Sequence, residues 1–138
     1  MPALEPVHGV RVVASPDALD RADWDPDDVT LIWRFAPDEA FATRPGEPLT
    51  SVQLDDPHAI IEIESGFFAA YMMPDDVAEL RSHCEFDWPA TRPALVQGKI
   101  AGVPVKVWLP DVANGDVLLV AAAYVDEFVD RLGWSRLR

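Results

Sequence analysis

Cysteine is almost absent from this chain. Cys84 stands alone, so no intrachain disulfide can form and a packed core has to hold the fold. Glycine is scarce as well: the seven glycines are isolated and none precedes a Lys-Ser/Thr pair, which excludes a phosphate-cradling loop, a nucleophile elbow and a dinucleotide fingerprint. Long apolar runs are missing. Even the stretch from Val117 to Val125 leads at once into Asp126 and Glu127, well short of the about 18 residues that a membrane-spanning helix needs. The first residues, Met1 to Pro6, contain Glu5 and no basic side chain, so no secretory leader is expected there, and the expected compartment is the reducing cytoplasm.

Positive charge is the scarcest resource. Eleven Lys and Arg face 24 Asp and Glu for a formal net charge of −13, and Lys99 and Lys106 are the only lysines. DNA, RNA and anionic lipid are repelled by such a surface, and basic proteins are its natural electrostatic partners; solubility alone is the plainer reading of the same charge.

What is present is a core. At 138 residues, 49% apolar with five tryptophans, the chain has the length and composition of one packed domain over 1–138 that folds without a metal. Thirteen prolines punctuate it from Pro2 to Pro110 with no repeat period, which predicts many short elements. Strands are expected at Gly9 to Ala14, at Val29 to Phe35 by the alternation of Val29, Leu31, Trp33 and Phe35, at His58 to Glu64, and at Asp116 to Ala121. Phe67 to Met73 reads as a further strand after a break at Ser65-Gly66, and equally as helix. Ser15-Pro16-Asp17 predicts a capped short helix ending near Trp24, Pro37 to Phe41 one helical turn, and Arg44 to Pro48 a loop. Pro74-Asp75-Asp76 opens a helix with Val77, Leu80 and Cys84 inward. Tyr124, Val125, Phe128, Val129 and Leu132 mark a terminal helix closed by Gly133. The class is α+β, an antiparallel sheet backed by two main helices, ferredoxin-like.

The motifs that carry chemistry fall short. Asp23, Asp25 and Asp27 take the first, third and fifth places of a calcium loop, but Asp28 stands where a glycine must turn the chain and Arg34 where a glutamate must close it. His8, His58, His83 and Cys84 do not complete a zinc set. Neighbours at 83 and 84 diverge by about 100° on a helix, so His83 does not face the Cys84 sulfur as an activating base must. Glu62, Glu64, His83 and Cys84 are the best acid–base constellation available, and sequence alone does not bring them together. No catalytic residue, metal ligand or cofactor-binding motif is assigned.

The most informative stretch is Ala94 to Leu109, a β-hairpin if Ala101-Gly102 is its turn. Val96, Gly98 and Ile100 then oppose Val107, Val105 and Val103 on an apolar face. Leu95, Gln97 and Lys99 oppose Trp108, Lys106 and Pro104 on a mixed one. Both lysines of the chain share that second face with a tryptophan, which makes Gln97, Lys99, Lys106 and Trp108 the candidate interface for a protein partner. The plainer alternative is that Trp108 packs beneath the helices.

The order of segments also resembles the gamma subunit of heterotetrameric sarcosine oxidase and the related aminomethyltransferase, or folate-binding, family. The resemblance runs through Trp33-Arg34-Phe35-Ala36-Pro37-Asp38-Glu39, the strand pair around Ile60 to Met73 ended by Pro74 and a helix, and His83-Cys84-Glu85-Phe86-Asp87. It continues through Ala94 to Leu109 with Gln97-Gly98, and Leu118-Leu119-Val120-Ala121-Ala122-Ala123-Tyr124. It implies a non-catalytic accessory or ligand-binding module beside a larger oxidoreductase or transferase. No residue here matches the family's folate-binding or catalytic positions. A small stand-alone enzyme or a folate-like ligand-binding protein is the alternative.

Overall fold

The computed structural model describes residues 2–24, 30–43, 52–111 and 115–137. Asp25, Asp27 and Asp28, Val29, and the loop expected at Arg44 to Pro48 lie outside them. Strands dominate and helices are short, so the protein is α+β. The chain divides into two compact units, Val7–Ser65 and Met1–Pro6 with Gly66–Arg138.

In the first of these, strand β1 (Ala3–Val13) leads through Ser15 into helix α1 (Pro16–Asp20). The Ser15 hydroxyl accepts a bond from the Ala18 amide at 3.3 Å and Pro16 starts the helix, as the sequence predicts. Strands β2 (Leu31–Ala36) and β3 (Glu39–Thr43) form an antiparallel hairpin whose β3 also pairs with Gly9 to Val13. Val10, Val12, Ala14, Ala18, Leu19, Trp24, Ala40 and Ala42 close into a small core. The helical turn expected at Pro37 to Phe41 is therefore corrected: Pro37-Asp38 is the hairpin turn, and Phe41 lies mid-strand opposite Arg11 and Trp33. The register shifts between Arg34 and Ala36, so Phe35 is a bulge, which compensates a turn that proline bars from the left-handed conformations favoured in two-residue hairpins. At β1, Gly9 is required by close approach, since a Cβ there would lie 2.1 Å from the Ala42 carbonyl oxygen.

Strand β4 (Ile60–Met72) runs unbroken through Ser65-Gly66, where the sequence predicts a break, because both residues adopt extended backbone; the division between the units falls between them. In the second unit the C-terminal part of β4 is followed by helix α2 (Pro74–Ser82), β5 (Ala94–Ile100), β6 (Val103–Leu109), β7 (Asp116–Ala121), a 3₁₀ turn, helix α3 (Val125–Leu132) and β8 (Ser135–Arg136). The strands lie in the order β4-β7-β6-β5, all antiparallel neighbours. One helical crossover and then a three-strand meander form this sheet, whereas the ferredoxin-like succession has a helix between its third and fourth strands. The two-residue β8, absent from the sequence reading, pairs in parallel with Ala3 and Leu4.

Local chemistry explains the helix ends. The Met73 amide donates to Asp76 Oδ2 at 2.9 Å at the start of α2. Gly133 ends α3 with φ of 71°, its amide bonded to the Val129 carbonyl at 2.8 Å. Leu80 of α2 and Val125, Phe128 and Leu132 of α3 share one core with Val96, Ile100, Val103, Val105 and Val107, so both helices cover the apolar face of the β5–β6 hairpin.

Candidate functional site

The hairpin has the register that its sequence pattern predicts: Leu95 opposes Trp108, Gln97 opposes Lys106 and Lys99 opposes Pro104. Ala101 and Gly102 form the turn with φ of 51° and 79°, both left-handed. Arg131 of α3 donates to the Ala101 carbonyl and so pins the turn to the helix layer. On the apolar face Gly98 leaves room for a ring: a Cβ there would come within 2.8 Å of Phe86 Cζ.

The opposite face carries the four candidate interface residues, and helices α2 and α3 do not lie on it. Gln97, Lys99 and Pro104 are exposed; Leu95, Lys106 and Trp108 are half-buried. Trp108 is thus not a core residue beneath the helices. Its β7 neighbour on the same face, Val117, and that of Lys106, Leu119, are each 1% exposed, so the chain itself covers this face at β7 and leaves it accessible along β5 and β6. Gln97 and Lys106 have interactions within the chain. Lys99 makes no ion pair or side-chain hydrogen bond among the described residues.

Two members of the acid–base constellation, Glu64 and Cys84, have partners of their own. Glu64 is taken by Arg11 at 3.1 Å, and the same guanidinium binds Glu39. Bonding to Glu39 first, and then to Glu64, raises the Arg11 guanidinium above its ordinary value against the opposing effect of burial. Cys84 is half-buried, its sulfur accepting a bond from the Trp88 indole at 3.3 Å, while Arg81 stands 5.3 Å from that ring's centroid. Among the described residues no group of three His, Cys, Asp or Glu side chains is placed to hold a metal ion, and no helix is long and apolar enough to cross a membrane.

Two features escaped the sequence reading. Arg92 grips buried Asp116 through both carboxylate oxygens, at 2.7 and 3.0 Å, and also donates to the Pro110 carbonyl at 3.1 Å. This bidentate pair fastens the start of β7, and the bond to Asp116 raises the arginine's pKa. A cleft of about 550 Å³ is lined by Pro6, Phe68, Asp126 and Arg136; the guanidinium lies 4.9 Å from the Phe68 ring centroid and is paired with Asp126. Neither has a local signal, because the partners are brought together from distant segments. The chain matches no protein-family model and no curated protein.

Proposed function

We propose that this protein is a non-catalytic interaction or accessory protein that binds a protein partner through the mixed face of the β5–β6 hairpin, with Trp108 as anchor and Gln97, Lys99 and Lys106 around it. The observation that carries this reading is the asymmetry of the hairpin: both helices pack on its valine face, while a half-buried tryptophan and the chain's two lysines occupy the other. With α2 and α3 on one face of an antiparallel sheet, the layering is of the ferredoxin-like type, although the helix between the third and fourth strands is lacking. The resemblance to sarcosine oxidase gamma subunits and folate-binding transferases supports a larger oxidoreductase or transferase as that partner. A cytoplasmic, metal-free and cofactor-free protein accords with the single cysteine and the incomplete ligand sets.

The test is native mass and co-purification in the source cell. A hetero-complex that forms with the wild-type chain and is lost in Trp108→Ala, at unchanged melting temperature, supports the reading. Retention of the complex in Trp108→Ala, or a native particle that is only the monomer, overturns it.

A further inference from the structure

Strand β4 is longer than its neighbour β7 can pair. It lies between β1 and β7 and has 13 residues, of which the six-residue β7 covers Phe67 to Met72. Beside residues 60–65, on the β7 side, there is no strand among the described residues, and no turn or loop bond reaches their backbone. The N–H and C=O groups of alternate residues there form an open sheet edge. Its side chains are apolar and in water: Ile60 is 56% exposed, Ile61 44% and Ile63 69%. Open edges are commonly blunted by lysine or proline, and residues 60–65 contain neither. Their charges are Glu62 and Glu64. Glu64 is held by Arg11, whereas Glu62 is exposed and has no ion pair or side-chain hydrogen bond among the described residues.

A second copy of the chain suits this edge poorly. Two copies paired antiparallel about a twofold axis set equivalent faces side by side. Centred on Ile61, Glu62 or Ile63, such a pair brings Glu62 diagonally across from its own copy, directly against it, or directly against Glu64, and like charges at these positions destabilise a ladder. Each copy also carries −13. We infer that the open edge of β4 takes up an extended segment of a basic partner as an added antiparallel strand. Apolar residues of that segment lie beside Ile61 and Ile63 on one face, and an arginine or lysine stands opposite Glu62 on the other. Main-chain bonds supply the affinity, and the alternate side chains choose the partner. The acidic charge of the whole chain speeds the encounter. No residue of the β5–β6 hairpin takes part, so this inference stands apart from the proposed function.

The experiment titrates acetylated, C-terminally fluorescein-labelled Val-Arg-Val-Arg-Val, Val-Gln-Val-Gln-Val and Val-Glu-Val-Glu-Val against the full chain by anisotropy. Amide chemical shifts and hydrogen exchange locate the contact. The arginine peptide is expected to bind roughly threefold tighter than the glutamine peptide, the size of one exposed ion pair, and the glutamate peptide weakest. Amides in residues 60–65 should shift and exchange more slowly. A fourth peptide, the arginine sequence N-methylated at every residue, keeps its charge but lacks the donors of a strand and should give no such protection. Glu62→Lys, at an exposed position with no partner to lose, should cancel the arginine preference. Equal binding of the first three peptides at residues 60–65 overturns the basic partner. A fourth peptide that binds as well as its parent, or an absence of shifts at residues 60–65, overturns strand addition. A wild-type dimer in sedimentation with the same amides protected makes a second copy the occupant and overturns the inference as well.

Discussion

The two hairpins of this protein reach the same architecture by different means. In β5–β6 everything that matters is local: alternation over seven residues on each side, and a two-residue Ala101-Gly102 turn whose left-handed backbone matches the twist of its strands. In β2–β3 the turn is Pro37-Asp38, and proline cannot take a positive φ. The pair therefore inserts a bulge at Phe35 and relies on a side chain from outside the turn. Arg34 donates to the carbonyls of Ala36 at 3.2 Å, Pro37 at 2.6 Å and Pro16 at 3.2 Å, and pairs with Asp20 at 2.9 Å. A turn whose conformation is intrinsically suited to its strands is legible from two residues; a turn held by an arginine that also reaches α1 is not.

The largest effect that would break this contrast is in the first hairpin. Val105 is 4% exposed and faces the helix layer, so Val105→Asp is expected to cost about 4 kcal/mol or to prevent folding. Lys106→Glu, one residue on and on the opposite face, costs about 0.5 kcal/mol. Chemical denaturation of both variants is decisive, because equal losses are incompatible with the observed alternation.

In the second hairpin, Arg34→Ala removes the outside support and is expected to cost about 1–2 kcal/mol, a figure held down by the side chain's partial exposure. Hydrogen exchange should quicken at β2 and β3 while β5 and β6 keep their protection. Uniform loss across both hairpins would mean that the turn is not what Arg34 holds.

A smaller and opposite effect is expected at Ala101, a non-glycine residue at φ 51°. A left-handed conformation costs an L-residue about 1–2 kcal/mol, more than the about 0.5–1 kcal/mol that glycine loses in backbone entropy. Ala101→Gly should therefore raise the melting temperature slightly, by roughly 0.5 kcal/mol of stability. A lowered melting temperature would show that Ala101's packing against the core outweighs its backbone.

The smallest effect concerns the segment beside α1. Backbone amides of Ser15 at 2.8 Å and His58 at 2.9 Å donate to Asp56 and hold its carboxyl below the usual value, the Ser15 bond contributing most. A depressed folded-state pKa means that the stabilisation is present above the unfolded-state pKa of about 3.9 and is lost as pH falls through the folded value. Asp56→Asn should flatten that acid limb by removing a small stabilisation that the wild type has at neutrality and loses in acid; an unaltered acid profile would remove Asp56 from the account.

Much of the second unit was readable in advance. The hairpin register, the start of α2, the span of β7 and the close of α3 at Gly133 all rest on periodicity or on capping chemistry within a few residues. Ser65-Gly66 punctuates the sequence as a break would, and the run after it fits strand and helix equally, yet glycine accepts extended backbone as readily as a turn and β4 is one strand. The Arg92–Asp116 pair and the two-residue β8 carry no pattern at all, their partners being 24 and more than 100 residues away.

The candidate interface divides along the same line. Residue order alone determined which side chains share a face, because a strand alternates with period two and a two-residue turn allows one register. It did not determine which face the helices would take. That was decided by packing: Leu80, Val125, Phe128 and Leu132 gain more from burial against a continuous valine surface than against a row containing two lysines and a glutamine, whose polar groups lose water without gaining partners. Trp108 is left on the side opposite α2 and α3 by that preference, through contacts between segments that the chain order holds far apart.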